Sequence, residues 1–406
     1  MAAVAVVCSQ LCRRMAGVAG HALLRRALLP PAAAHPVALM RLCSTMPAMP
    51  AAGQPVADTL PADLVVKLAC LPPGAEAAAR LARVTSLDLS DYYAVTDEVI
   101  ARLPPTLRTL NVSGCWALSR NVSFAHLTAL ESLDCSGTRA VGAGLDRLPP
   151  SLRHLRMHQC ELPDTADFSH LTALQVMVRS GMETALSCAT FASLPPSLEE
   201  VDIGFPEAKG PVLPTWPAGG SLAHLTRLRI LRAAYSSINN AALAALPPSL
   251  TDLNLGDCWE LAPDASFAHL TRLRTLNASC TYLGDAALLT LPPSLVSLDL
   301  FGTWYIGHRY LTPAAVFPSL PALRVLNVGC SYIGDAAVAS MPAGLEELHM
   351  ADCREVTQRA TLDHLVALRA LHSSGTNLLR ATIAVCRAGG GVAPADGMLS
   401  RQSQVT

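Results

Sequence analysis

The side chains with the widest chemical capacity in this chain are its 12 histidines and 13 cysteines. Imidazole and thiolate ligate zinc-class metals and, beside a base, act as nucleophiles. Five histidines recur in one short context: Phe124-Ala-His126-Leu127, Phe168-Ser-His170-Leu171, Leu222-Ala-His224-Leu225, Phe267-Ala-His269-Leu270 and Leu362-Asp-His364-Leu365. A ligand set needs groups that converge on one point, whereas one histidine per motif copy spreads along the molecule, so we read these five as a structural position. The cysteines are odd in number and none forms Cys-x-x-Cys, which argues against structural zinc and against a disulfide framework. Gly-x-Ser-x-Gly, a phosphate loop ending in Gly-Lys-Ser/Thr and His-Glu-x-x-His are all missing, and the only lysines are Lys67 and Lys209. We therefore assign no catalytic, cofactor-binding or metal residue and expect no enzyme. The nearest approach to a ligand set is His349 with His372, near Asp352 and Cys353, without coordination spacing.

What positions these groups is a repeat. Units of the form Leu-x-x-Leu-x-Leu open at Val84, Leu107, Leu130, Leu152, Leu174, Leu198, Leu228, Leu250, Leu273, Leu295, Leu323, Leu345 and Leu368, in steps of 23, 23, 22, 22, 24, 30, 22, 23, 22, 28, 22 and 23 residues. A period near 23 is a solenoid signature. The fourth and sixth residues of each unit, such as Leu253 and Leu255, share the buried face of a short strand, while the fifth, Asn254, faces out. No unit can bury its apolar side without neighbours above and below. The ninth position turns the chain off the strand and carries small hydrogen-bonding or thiol groups: Cys115, Cys160, Cys258 and Cys353, alternating with Thr138, Ser236, Thr281, Thr303, Ser331 and Thr376.

Across residues 84–388 the chain resembles the cysteine-containing subfamily of leucine-rich repeats, whose units read roughly LxxLxLxxCxxITDxGLxxL. The likeness is clearest in NVGCSYIGDAAVASM (Asn327 to Met341), NASCTYLGDAALLTL (Asn277 to Leu291) and LSDYYAVTDEVIARL (Leu89 to Leu103). The resemblance implies an α/β leucine-rich repeat solenoid of about 13 repeats: a curved horseshoe with a parallel β-sheet on the concave face and short helices and Pro-rich extended segments on the convex face. It also implies a protein-binding surface, since members often read substrates in F-box proteins.

Two unit types alternate. Even units return through FAHLTAL-like segments, expected as short helical turns capped by Ser123, Asp167, Ser221 and Ser266. Odd units return through Pro104-Pro105, Pro149-Pro150, Pro195-Pro196, Pro247-Pro248 and Pro292-Pro293, which end the preceding turn; Asp97, Asn240, Asp285 and Asp335 are its expected N-caps. Insertions in the sixth unit (Phe205 to Gly220, holding Trp216) and the tenth (Trp304 to Leu323) should be loops near a binding face. Arg179 stands where an apolar sixth residue belongs.

The candidate binding surface comes from two columns. The fifth positions run Asp88, Asn111, Asp134, Arg156, Val178, Asp202, Arg232, Asn254, Asn277, Asp299, Asn327, His349 and His372, either a solubilising ladder or a polar partner surface. The tenth positions carry Tyr93 and Trp116, then Trp259, Tyr282, Trp304 and Tyr332 in four consecutive units. Neighbouring coils are about 5 Å apart, so these rings predict an aromatic rim, and aromatics are enriched at interface hot spots. A basic stripe of Arg108, Arg153, His154, Arg156 and His158 is broken by Glu131 and faces Glu199, Glu200 and Asp202, too weak a pattern for nucleic acid.

Residues 1–57 hold five arginines and no Asp, Glu or Lys, the composition of a mitochondrial transit peptide, with a cut after Cys43 as the expected processing point; Ala2 to Cys8 is a short alternative secretory core. Without those arginines 25 basic residues face 31 acids, a net charge of −6. Residues 58–83 should cap the solenoid, although Leu60-Pro61-Ala62-Asp63-Leu64 followed by Leu71-Pro72 resembles the opening of an F-box. Residues 389–406 are Gly-rich and polar and should be disordered. The expected function is a non-catalytic interaction scaffold or recognition module in mitochondria, with a protein partner on the concave face and aromatic rim. The alternative is a cytoplasmic or nuclear substrate receptor of an F-box-type ubiquitin ligase.

Overall fold

The computed structural model describes residues 81–138, 148–160, 162–180, 186–204, 216–302 and 310–378. The leader, nearly all of the capping or F-box-like stretch, the C-terminal tail, residues 205–215 and Trp304 lie outside them.

Among the described residues there are thirteen strands of three residues each: β1 (Ser86–Asp88), β2 (Thr109–Asn111), β3 (Ser132–Asp134), β4 (His154–Arg156), β5 (Val176–Val178), β6 (Glu200–Asp202) and β7 (Ile230–Arg232). They continue through β8 (Asp252–Asn254), β9 (Thr275–Asn277), β10 (Ser297–Asp299), β11 (Val325–Asn327), β12 (Glu347–His349) and β13 (Ala370–His372). They form one parallel sheet in sequence order, with no crossover. The register matches the expected phase of the repeat: from Asp88↔Asn111 at one end to His349↔His372 at the other, fifth position pairs with fifth position. Fourth and sixth residues such as Leu253 and Leu255 are buried, and the ninth-position cysteines are fully so. The chain is a leucine-rich repeat solenoid.

Where the eighth position is described, the chain leaves its strand there through a left-handed residue. Eleven coils show it: seven at non-glycine residues (Asp91, Gln159, Tyr235, Asp257, Cys280, Cys330, Asp352; φ 53 to 58°) and four at Gly114, Gly137, Gly302 and Gly375. The turn lets the eighth N–H reach the next coil, as in Asp91 N–H to the Ser113 carbonyl at 2.7 Å. Glycine takes this conformation without steric cost, and at Gly114 a Cβ would also collide with the Asp91 carboxylate. The ninth residue then closes the turn by hydrogen bonding. The Cys160 thiol and the Thr138 hydroxyl both donate to the Cys135 carbonyl, at 3.1 and 2.6 Å, and the Cys258 thiol donates to the Ala233 carbonyl at 3.1 Å.

The convex side reverses one expectation. The five α-helices among the described residues, α1 (Asp97–Ala101), α2 (Cys188–Ser193), α3 (Asn240–Ala244), α4 (Asp285–Leu288) and α5 (Asp335–Ser340), all belong to odd units. These are the units with the proline pairs, or with Pro342 in the eleventh. Segments such as Asp-Ala-Ala-Leu bury two adjacent apolar residues, and the proline only limits them to four to six residues. The FAHL segments form single turns instead, with Leu127 N–H on the Phe124 carbonyl at 3.0 Å. Their expected caps make side-chain turns two residues long: Ser123 accepts from Ala125 N–H, Asp167 from Ser169 N–H and Ser221 from Ala223 N–H.

The expected N-caps are also displaced by one residue. Thr96, Asn239, Gly284 and Gly334 are the N-caps, and of these the Asn239 side chain accepts from Ala242 N–H. Asp97, Asn240, Asp285 and Asp335 are first helical residues whose side chains reach the next coil. Asp285 accepts from the Thr312 amide (2.9 Å) and hydroxyl (2.5 Å), Asp335 likewise from Thr357 (2.7 and 2.5 Å), Asp97 from Ser119, and Asn240 from Ala262 N–H (3.0 Å). These bonds run from an odd coil to the even coil after it. The even-to-odd contact uses a different set: Phe168, Phe267 and Phe317 N–H donate to Ser193, Thr290 and Ser340 hydroxyls at 3.1, 3.0 and 2.8 Å.

Candidate interaction surface

The fifth-position column faces solvent on the sheet, and all eight of its Asp and Asn residues are already engaged. Each side-chain oxygen accepts the N–H two residues on: Asp88 from Ser90 (2.9 Å), Asn111 from Ser113 (3.0 Å), Asp134 from Ser136 (3.0 Å), Asp202 from Gly204 (3.1 Å), Asn254 from Gly256 (3.0 Å), Asn277 from Ser279 (2.9 Å), Asp299 from Phe301 (2.8 Å) and Asn327 from Gly329 (3.1 Å). Strand ends need an acceptor for the amide that enters the left-handed turn, and Asp and Asn supply it within their own coil. The column is therefore first a turn-forming device.

The tenth-position column splits. Tyr93 is 63% exposed, Trp116 51% and Trp259 38%. Tyr282 and Tyr332 are half-buried, and Tyr282 meets Tyr310 edge-on with ring centroids 5.7 Å apart. Tyr310, from the tenth-unit insertion, extends the aromatic edge, and sequence reasoning passed over it because it lies outside the ten-residue phase. Trp259 is anchored to the turn: burial raises the Asp257 carboxyl above its ordinary range, opposed by hydrogen bonds from Tyr235, Cys280 and the Trp259 indole. The fourth tryptophan, Trp216, is a core residue at the end of the sixth-unit insertion. It is 4% exposed, stands edge-on to Phe191 at 4.9 Å and donates its indole N–H to the Gly220 carbonyl at 3.2 Å.

Of the basic stripe Arg108 is ion-paired, and two of the acids that the stripe faces are taken by arginines outside it. Arg108 meets Glu131 at 2.7 Å, Arg227 meets Glu199 at 3.2 Å, and Arg232 is paired with Glu200. Arg179 is a buried cation, 4% exposed, and burial pulls its guanidinium down to about 10.

The turn-position cysteines and the repeated histidines serve packing. Burial pushes the Cys115, Cys258 and Cys353 thiols up to about 11 and Cys280 to about 12, the reverse of what a nucleophile needs. Of the repeated histidines, His224 Nε2 donates to the Leu194 carbonyl at 3.0 Å, the residue just past α2 and just before Pro195. The Nε2 atoms of His126, His170, His269 and His364 are instead buried without a hydrogen-bond partner among the described residues. Of the five, His224 is thus the one that satisfies a carbonyl at a helix end of the preceding coil. No helix of the described residues is long and apolar enough to cross a membrane.

No protein-family model matches the chain, and no curated protein matches it. Solved structures do. A TLR13 chain in complex with ssRNA13 superposes with a TM-score of 0.57 at 21% identity, over 78% of this chain and 49% of that one. An internalin from Listeria monocytogenes superposes with a TM-score of 0.55 at 18% identity, over 78% of this chain and 89% of that one. This chain spans about half the length of the TLR13 chain. At these identities the likeness is one of fold.

Proposed function

We propose that this leucine-rich repeat chain is a non-catalytic recognition scaffold in mitochondria, and that its aromatic edge holds a protein partner. The observation that carries the reading is the exposure of Tyr93, Trp116 and Trp259 in one column of a solenoid whose other large apolar residues are nearly all buried. Exposed aromatic side chains at equivalent positions are the kind enriched at interface hot spots. The Asp and Asn residues beside them supply a polar surround, and burial holds the Cys115, Cys258, Cys280 and Cys353 thiols protonated. The acid-free, arginine-bearing leader supports the location.

The test is site-specific photo-crosslinking in the protein's own cells, with a photoreactive phenylalanine analogue placed at Trp116 or Trp259 and, as control, at Val366, which is 84% exposed and outside both columns. Discrete crosslinked species are expected from the two rim positions in the mitochondrial fraction. Products only from Val366 would refute the rim, and a cytosolic protein with an uncut N-terminus would refute the location.

A further inference from the structure

The C-terminal end of the sheet carries a donor set that the recognition reading does not use. His349 and His372 are register partners on β12 and β13, and their rings stack with centroids 4.2 Å apart and planes 5° from parallel. Glu347 lies two residues before His349 and so shares its face of the strand. Its Oε1 is 2.6 Å from His349 Nε2. One ligand atom from each of the three residues lies within 4.8 Å of the others.

We propose that Glu347, His349 and His372 form a binding site for a zinc-class divalent cation on the solvent face of the solenoid sheet. Two imidazoles and one carboxylate match the nitrogen-rich preference of zinc and of later first-row ions such as copper and nickel, while calcium and magnesium would require oxygens alone. The side chains of Glu347 and His349 are 41% and 35% exposed, so rotation about side-chain bonds can bring the donors to metal-ligand distances of about 2.0–2.2 Å without moving the backbone. The nearby cations do not compete: Arg324 and Arg369 both turn to Glu346, at 3.6 and 3.7 Å. Cys353 is excluded as a ligand because it is fully buried and donates to the Val328 carbonyl at 3.1 Å. Three protein donors leave a fourth position facing out, open to water or to a donor from another molecule. On binding, the cation takes the Nε2 lone pair of His349 now opposite Glu347, and the ring proton resides on Nδ1.

The experiment uses the full chain, stripped with a chelator and titrated with zinc chloride by calorimetry at pH 7.4. One equivalent is expected to disappear in the H349A/H372A double variant. E347Q should weaken the same equivalent by at least tenfold, and H364A, on the opposite side of the coil, should change nothing. Cobalt titration should give the visible absorption of a four-coordinate nitrogen-oxygen site in the parent and not in the double variant. Circular dichroism establishes that the variants fold. No zinc binding by the parent, or the same stoichiometry in a folded H349A/H372A variant, would overturn the proposal.

Discussion

At position 299 a carboxylate that the sequence presents as surface chemistry spends one oxygen on its own backbone. Asp299 Oδ1 takes the Phe301 N–H at 2.8 Å. Asparagine keeps that acceptor and alanine removes it, so Asp299→Asn should leave denaturant stability unchanged, whereas Asp299→Ala should lower it by about 1 kcal/mol. Equal losses in both variants would show that the charge, not the turn, is what matters. This was the least legible feature of the sequence. Period two says that a fifth residue faces out, and nothing in the pattern says that its side chain bends back along the chain. Glu347 was passed over for a related reason: attention rested on the fifth column, although the third shares its face. A second residue-scale outcome concerns thiols. Cys188 is exposed, whereas burial holds Cys115, Cys258 and Cys353 protonated to about 11 and Cys280 to about 12. Among residues 81–378, alkylation at pH 8 should therefore modify Cys188 first and reach those four only on unfolding. Fast labelling of Cys280 in the native protein would contradict it.

At the scale of elements, short turns were expected on the convex side of both unit types, and among the described residues only the odd units extend theirs into α-helices. Phe-Ala-His-Leu-Thr stops at a single turn, with its Phe and Leu buried in the core. Asp-Ala-Ala-Leu is the helix, and it buries Ala287 and Leu288. Burial lowers the His269 pKa below its ordinary value of 6.5, so the fold favours the neutral ring. The sign follows from linkage: stability is fully present above the ordinary value and declines as pH falls toward the lower folded one. The midpoint of urea unfolding should therefore drop between pH 7 and pH 5, and His269→Ala should flatten part of that drop. An unchanged pH slope in the variant would remove His269 from the account.

For the whole molecule, the fold was legible because its signal is summed: thirteen openings in steps of mostly 22 to 24 residues leave one architecture that buries the leucines of the repeat. What periodicity could not show is that adjacent coils meet through two kinds of contact. Odd coils hold the following even coil through Asp285-type carboxylates, and even coils meet the following odd coil through Phe267-type amides. Removing residues 228–272, one odd and one even unit, should leave a protein that unfolds cooperatively with a melting temperature within about 10 °C of the parent. Removing residues 228–249 alone sets two even units face to face and should cost far more. Similar melting of the two deletions would refute the alternation.

The alternation also bears on how such a chain lengthens or shortens over generations. Its heritable step is a doublet, and tandem copying in doublets keeps every junction in phase. A single-coil slip would act like a stacking fault in a layered crystal, matching two surfaces that each present donors where the other needs acceptors.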